Sequence, residues 1–181
     1  MSKFAILFSV VFVYGIYLAI AVGPVWGFYL YELVYFLNPG NRWWGSQLPE
    51  IGYSFIIVIV LLGSLYLKRK QHSNSLKEMH ETMWFNAVIL IYGVATFIAA
   101  NPEMHNRFML YLIKTYVIMY LAYRMIDTER KLELALLFYM AGAAYIGYEA
   151  MMVGRDSFGR VEGIGTVDSP EANTIAACIA P

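Results

Sequence analysis

The order of apolar and polar residues along the chain predicts a series of long apolar helices. The first apolar segment, residues 4–37, holds a single charge, Glu32. As one helix it would extend about 51 Å at about 1.5 Å per residue, which exceeds the roughly 30 Å hydrocarbon core of a bilayer. Gly23-Pro24 is the expected break, because proline removes a backbone donor and clashes with the preceding turn. We therefore predict a broken helix pair, whose second member, residues 25–37, either crosses the membrane or lies in its interface.

A cleaved signal peptide is an alternative interpretation of this first segment. The apolar run is too long for a signal peptide, and no small-residue cleavage site leads into a polar mature start. The helix pair is therefore the interpretation that we carry forward.

Four further apolar segments follow, each bounded by charges or by Asn-Pro: residues 51–67, 83–100, 108–123 and 132–148. The loops between them are short, so sequential helices are expected to be antiparallel neighbours. The pattern predicts an all-α fold. We expect one integral membrane domain over residues 1–181, a polytopic transmembrane helix bundle of about five to six spans.

Composition agrees with a membrane protein and excludes some other classes. Hydrophobic residues make up 60% of the chain and charged residues 14%, whereas soluble domains carry about a quarter charged residues. The formal net charge is zero, so no basic surface for a nucleic-acid backbone is predicted. The single cysteine, Cys178, excludes an internal disulfide framework and a Cys-rich metal site.

Positive charges predict the orientation, because short cytoplasmic loops are enriched in Lys and Arg. The loops after the second and fourth apolar segments hold seven: Lys68, Arg69, Lys70, Lys77, Arg124, Arg130 and Lys131. The alternate loops hold four: Arg42, Arg107, Arg155 and Arg160. We therefore expect this second set of loops to face outward. Aromatic rings that favour the interface stand at predicted span ends: Trp43, Trp44 and Trp84.

The outward loop, residues 149–170, combines several glycines with charges. Glycines such as Gly163 and Gly165 allow close approach of the backbone to a ligand, and Arg155 and Arg160 offer forks of donors suited to phosphate oxygens. A phosphate site is one interpretation. On composition alone, a polar loop with arginines near lipid headgroups is the commoner outcome. The glycines follow a helix and lack a Gly-Lys-Ser/Thr ending, so neither a dinucleotide fingerprint nor a P-loop is indicated.

A further helix is predicted to begin after this loop and to run over residues 171–181. Asp168 or Ser169 is suited to the N-cap position and Pro170 to the first helical position. The free N–H groups of such an N-terminus favour an anion. Simple capping explains the same residues without a ligand.

Four ionisable residues fall in or at the edge of apolar segments: Glu32, Lys114, Glu133 and Glu149. A charge in the membrane is costly, so its position is a functional hypothesis. Lys114 either extends to the outer interface or faces a polar cavity. Glu149 is expected to pair with Arg155 or Arg160, and Glu133 is expected to be interfacial and structural.

No metal or hydrolase site is indicated by the sequence. The histidines, His72, His80 and His105, fall in loops on opposite predicted sides, and no metal-ligand spacing is present. The chain also lacks Gly-x-Ser-x-Gly and His-Glu-x-x-His. We predict no metal and no cofactor.

Several stretches of the chain together resemble a known family. In the outward loop, Gly159-Arg160-Val161-Glu162-Gly163 and then Glu171-Ala172-Asn173 lead into an apolar helix. Upstream, Asn38-Pro39 is followed by Arg42-Trp43-Trp44-Gly45, Leu48-Pro49 and Tyr53-Ser54-Phe55. Trp84, the Asn101-Pro102 turn and the helix that carries Lys114 are similar as well. Over most of its length the chain resembles the O-antigen ligase and O-antigen polymerase family, closest to the exosortase-associated O-glycosylation ligases.

This resemblance implies a multi-pass glycosyltransferase of polysaccharide biosynthesis in the bacterial inner (cytoplasmic) membrane. Such an enzyme takes a glycan from a polyprenyl diphosphate carrier. It transfers the glycan, on the periplasmic face, to an acceptor lipid, protein or growing glycan. The resemblance implies no nucleotide sugar, no cofactor and no essential metal.

The resemblance also implies roles for individual residues. Arg160 matches the family's outward arginine and is the catalytic candidate for contacting the diphosphate leaving group. Asn173 matches the motif's Asn at the helix start. Arg155 has no counterpart in the family and is a candidate by proximity. The substrate-binding candidates are Arg155, Gly163, Gly165, Asn173 and Lys114.

Members of the family are longer, with later spans and a second large outward loop that carries a histidine proposed to act in catalysis. Nothing in this sequence matches that loop. We therefore expect either the N-terminal part of a longer protein, inactive alone, or a form that has lost the chemistry. The alternative function is a non-catalytic polytopic membrane subunit or a transporter fragment.

Overall fold

The computed structural model describes residues 2–68, 80–155, 161, 163–165 and 176. The regular secondary structure of these residues is helical. Over these residues the chain forms six α-helices and no strand. The helices are α1 (Lys3–Ala21), α2 (Pro24–Leu37), α3 (Tyr53–Leu67), α4 (His80–Ala95), α5 (Pro102–Met125) and α6 (Glu129–Val153). Short 3-10 turns lie at Pro39–Asn41, Gly45–Gln47 and Thr96–Ile98. The prediction of an all-α fold is confirmed for this part of the chain.

The break between α1 and α2 lies at Gly23-Pro24. The N–H groups of Val22 and Gly23 both donate to the Leu18 carbonyl, at 2.9 and 3.0 Å, which closes the last turn of α1. Pro24 takes the first position of α2, where its missing N–H has no partner to lose. The pair is therefore two helices, and α2 is free to take a direction of its own.

The chain divides into two units, residues 1–68 with 128–181 and residues 69–127. In the first unit, α2 packs against α1, α3 and α6. Gly27 allows close approach here, because a Cβ at this position would lie 2.7 Å from Leu61 and 2.9 Å from Ala19. The Tyr29 hydroxyl donates to the Lys131 carbonyl at 3.0 Å and joins α2 to the start of α6. Helix α2 is thus the centre of this unit.

The second unit contains α4, the turn after it and α5. Asn101 caps α5 by accepting a hydrogen bond from the Met104 N–H at 3.0 Å. His105 stacks on Tyr92 with 4.5 Å between ring centroids. Its Nε2 lies 3.0 Å from both the Tyr92 carbonyl and the Thr96 hydroxyl. This one histidine therefore ties the first turn of α5 to the end of α4.

Among the described helices, α1 and α6 are long and apolar enough to cross a membrane. In their most apolar stretches, 17% and 6% of the residues are buried, so most of these apolar side chains are available to lipid. Helices α3 and α4, at about 22 and 24 Å, are shorter than the roughly 30 Å hydrocarbon core. Helix α5 has the length, but Glu103, Arg107 and Lys114 interrupt its apolar surface. The other predicted spans thus fall on helices that do not meet both conditions.

Candidate functional site

The Arg42 side chain is the centre of a polar cluster in the first unit. Its Nε donates to the Leu37 carbonyl at 2.8 Å, and its Nη1 donates to Glu149 Oε2 at 3.0 Å and to the Ile164 carbonyl at 3.2 Å. The guanidinium carbon lies 5.0 Å from the ring centroid of Tyr145, within the range of a cation–π contact. One arginine therefore joins the end of α2, the last turns of α6 and the segment 163–165.

Burial makes these contacts important. The Arg42 side chain is 6% exposed and that of Glu149 is 29% exposed. A charge this far from water is stable only when it is paired and hydrogen-bonded. Within the described part of the chain, Arg42 Nη2 is buried without a hydrogen-bond partner.

Local sequence places Arg42 in this position. Asn38 ends α2 in the left-handed conformation, with φ 38° and ψ 68°, which asparagine tolerates better than most residues. Pro39 then begins the short turn Pro39–Asn41, and the Arg42 N–H closes that turn on the Pro39 carbonyl at 3.2 Å. The chain thus reverses sharply after α2 and directs the next side chain back toward α6.

The same reversal brings the segment 163–165 against the end of α2. Asn38 Nδ2 donates to the Gly165 carbonyl at 2.6 Å. Gly163 and Gly165 have φ values of +77° and +67°, which glycine adopts without the strain that a Cβ causes. A Cβ on Gly165 would lie 2.9 Å from the Asn41 Cβ. We name the group formed by Asn38, Arg42, Tyr145, Glu149 and residues 163–165 the Arg42 cluster.

Apolar packing supports the Arg42 cluster from one side. Phe36, Ile146 and Ile164 form a buried group, at 4%, 1% and 2% exposure. The Phe36 ring lies against α6 at Gly142, where an added Cβ would come within 2.1 Å of the ring. Because Ile164 lies between Gly163 and Gly165, its burial holds the segment 163–165 in place.

The sequence-predicted site residues fall in different parts of the molecule. Gly163 and Gly165 belong to the Arg42 cluster, and Gly163 is exposed. Arg155 is exposed, two residues after the end of α6. Arg160 and Asn173, together with most of the predicted further helix over residues 171–181, lie outside the described residues.

Lys114 belongs to the second unit, on α5. Its side chain is exposed, and Nζ lies 5.7 Å from the ring centroid of Tyr111. This contact joins neighbouring turns of one helix. Lys114 and the Arg42 cluster are therefore parts of different units of the chain.

Among the described residues, the structure pairs Glu149 with Arg42. Of the two arginines predicted as its partners, Arg155 is exposed and Arg160 lies outside the described residues. The signal in the sequence is a carboxylate at the edge of an apolar segment, which favours a cation nearby. Arg42 is 107 positions away, so neighbouring sequence gives no indication of this pair.

An open pocket of about 560 Å³ borders the Arg42 cluster. It lies between the two 3-10 turns that follow α2 and the first turn of α3, and Arg42 forms part of its wall. Its volume is within the range of small-molecule sites, about 300–1,000 Å³. Among the described residues, no group of three or more His, Cys, Asp or Glu side chains lies close enough together to hold a metal ion.

Comparison with known proteins gives no further guidance. No family model, no curated protein and no solved structure matches this chain.

Proposed function

We propose that this chain forms part of a multi-pass membrane glycosyltransferase similar to the O-antigen ligases and polymerases. The enzyme takes a glycan from a polyprenyl diphosphate carrier and transfers it to an acceptor lipid, protein or glycan. The reaction takes place on the periplasmic face of the bacterial inner membrane. The chain supplies a wall of the donor site at the end of α6.

The observation that carries this proposal is the contact between the turn after α2 and segment 163–165. Two of the stretches that carry the family resemblance lie around residues 38–45 and around residues 159–173. Arg42 and Asn38 from the first stretch donate to the carbonyls of Ile164 and Gly165 in the second. Residues that resemble one family are thus neighbours in space, as expected of parts of one site.

Charge explains what the loop contributes to the reaction. Negative charge builds on the diphosphate as the glycosidic bond breaks, and preorganised cationic donors stabilise that charge. Arg160 is the donor assigned to the leaving group, with Arg155 as a second cation in the same loop. Glu149 is neutralised by Arg42, so it does not oppose the binding of an anion at the end of α6.

The apolar surface supports a location in the membrane. Helices α1 and α6 expose most of their apolar side chains, and sequestering such surface from water is favourable. The distribution of Lys and Arg among the loops then assigns residues 149–170 to the periplasmic side.

Substitution of Arg160 tests the mechanism in the intact protein. We expect both Arg160→Ala and Arg160→Lys to reduce glycan transfer, because lysine does not reproduce the bidentate fork of arginine. The readout is the ratio of carrier-linked to acceptor-linked glycan in isolated membranes. Arg107→Ala is the matched control, since Arg107 is an exposed arginine on α5, in the second unit. Full transfer by both Arg160 variants would favour the alternative of a non-catalytic membrane subunit or transporter fragment.

A labelling experiment tests the orientation separately. Cysteines are introduced singly as Arg155→Cys and Asn74→Cys in a Cys178→Ser background. A membrane-impermeant maleimide added to spheroplasts is expected to label the cysteine at position 155 and to leave that at position 74 unlabelled. The reverse pattern contradicts a periplasmic site.

A further inference from the structure

The pocket beside the Arg42 cluster has a mixed polar and apolar lining. Ser46 and Glu50 supply a hydroxyl and a carboxylate, and Leu48 and Ile51 supply apolar surface. Tyr53, at the start of α3, contributes a half-buried aromatic side chain. A small ligand in this pocket therefore meets hydrogen-bonding groups and apolar carbon surface together.

The charges around the pocket disfavour an anionic ligand. Arg42 is the basic residue among those that line the pocket, but its side chain is 6% exposed and its Nη1 is paired with Glu149 Oε2 at 3.0 Å. The Glu50 carboxylate is exposed on the same wall. A phosphate would meet a compensated cation and an opposing carboxylate, whereas a hydroxyl group can donate to Glu50 without repulsion.

The pocket wall is preformed by short-range hydrogen bonds. The Gly45 N–H donates to the Arg42 carbonyl at 2.8 Å, and the Leu48 N–H donates to the Gly45 carbonyl at 2.9 Å. The Tyr53 hydroxyl donates to the Pro49 carbonyl at 2.9 Å. Such a wall loses little conformational entropy when a ligand binds.

Trp44, next to the lining residue Gly45, is buried at 6% exposure and packs on Phe8, with 5.4 Å between ring centroids. The Tyr53 ring contacts the same Phe8 edge-on at 5.2 Å. These aromatic contacts join the segment that lines the pocket to α1.

We propose that this pocket binds a sugar ring, a neutral ligand with several hydroxyl groups and an apolar face. The hydroxyls donate to Glu50 and exchange hydrogen bonds with Ser46, and the ring carbons cover Leu48, Ile51 and Tyr53. The assignment of that ring to the transferred glycan rests on the proposed function. Binding of the sugar itself follows from the lining of the pocket.

Saturation-transfer NMR on the protein in phospholipid nanodiscs tests this proposal. Nanodiscs are required because glycoside detergents carry sugars of their own. The probes are glucose, galactose and N-acetylglucosamine, each with inorganic phosphate as a competitor. We expect at least one sugar to give a transfer signal that phosphate does not displace.

Glu50→Gln is the decisive variant, because Glu50 is exposed and the packing of Trp44 on Phe8 does not involve it. Glutamine still accepts a hydrogen bond but carries no charge, and a charge-assisted hydrogen bond is about twice as strong as a neutral one, so we expect affinity to fall about fivefold. The matched control is Glu103→Gln, which removes an exposed carboxylate from the second unit and is expected to bind like the wild type. Thermal unfolding of each variant verifies that the fold is retained.

Three outcomes would overturn the proposal: no signal from any sugar, equal binding by Glu50→Gln, or displacement of the sugar by phosphate. These outcomes are separable from failure of the proposed function. Transfer that depends on Arg160 without sugar binding here removes only the pocket assignment. Sugar binding without any glycan transfer would contradict the proposed enzymatic function and would indicate a carbohydrate-binding membrane protein.

Discussion

Arg42 Nη1 donates a hydrogen bond to Glu149 Oε2 at 3.0 Å and so joins the turn after α2 to the last turns of α6. The pair is largely buried on the arginine side. Removing one member of a buried pair leaves an uncompensated charge and costs about 3–5 kcal/mol. Because Glu149 is 29% exposed, we expect Glu149→Ala to lower the free energy of unfolding by about 3 kcal/mol, the lower end of that range. Chemical denaturation of the wild type and the variant in detergent micelles measures this difference in the free energy of unfolding.

A second ion pair in the chain supplies the matched control. Arg107 and Glu103 lie one turn apart on α5, at 3.8 Å, with side chains 67% and 88% exposed. Such exposed pairs contribute about 0.3–0.5 kcal/mol, so Glu103→Ala is expected to leave stability nearly unchanged. Equal effects of Glu149→Ala and Glu103→Ala would show that Arg42 does not need its carboxylate.

Two glycines of α6 are expected to respond oppositely to alanine. A Cβ at Gly142 would lie 2.1 Å from the buried Phe36 ring, and overpacking of this kind costs about 1–3 kcal/mol. Gly147 has nothing within 4 Å of the same added atom, and glycine is about 1 kcal/mol worse than alanine in a helix. Gly142→Ala should therefore lower the melting temperature and Gly147→Ala should raise it or leave it unchanged. If both variants were destabilised, the loss at Gly142 could not be attributed to crowding against Phe36.

The two left-handed glycines of the Arg42 cluster separate backbone strain from crowding. Gly163→Ala and Gly165→Ala both impose the left-handed penalty, about 1–2 kcal/mol. Only the Gly165 variant also brings a Cβ within 2.9 Å of Asn41. We expect Gly165→Ala to be the more destabilising in thermal unfolding. A larger loss for Gly163→Ala contradicts the close contact between segment 163–165 and the turn after α2.

Adjacent tryptophans are expected to differ in their contact with lipid. Trp43 is 70% exposed, whereas Trp44 is 6% exposed and packs on Phe8. With Trp26 and Trp84 replaced by Phe, a variant that keeps only Trp43 should be strongly quenched by lipids brominated near the headgroup, where indole rings favour the interface. A variant that keeps only Trp44 should be quenched much less. Equal quenching would contradict this difference, because it would mean that both rings contact lipid or that neither does.

Local patterns in the sequence predict the helical class and the break at Gly23-Pro24, because these features depend on neighbouring residues. Helix ends follow the caps more closely than the apolar runs. Helix α5 begins at Pro102, after the Asn101 cap, whereas the apolar segment predicted from hydropathy begins at residue 108. Polar first turns are invisible to hydropathy, but N-capping and an N-terminal proline stabilise them.

The partner of Glu149 is a different case. The sequence indicates that this carboxylate needs a cation, but the choice among Arg42, Arg155 and Arg160 depends on tertiary structure. Asn38 and Pro39 turn the chain back toward α6, and this reversal brings Arg42 to Glu149. Local residues thus specify the turn, whereas the contact between Arg42 and Glu149 depends on the packing of α2 against α6.

The first unit is formed by two separate parts of the chain, residues 1–68 and 128–181, so it cannot be completed until both parts have been synthesised. Helices α1, α2 and α3 are complete by Leu67, but α6 follows only after residues 69–127 of the second unit. The Tyr29 hydroxyl, for example, donates to the Lys131 carbonyl, which lies 102 positions later in the chain. Until then the side of α2 that packs on α6 lacks that neighbour, and transiently uncovered apolar surface promotes misassembly. The contact that completes the first unit therefore forms only after the second unit has been synthesised.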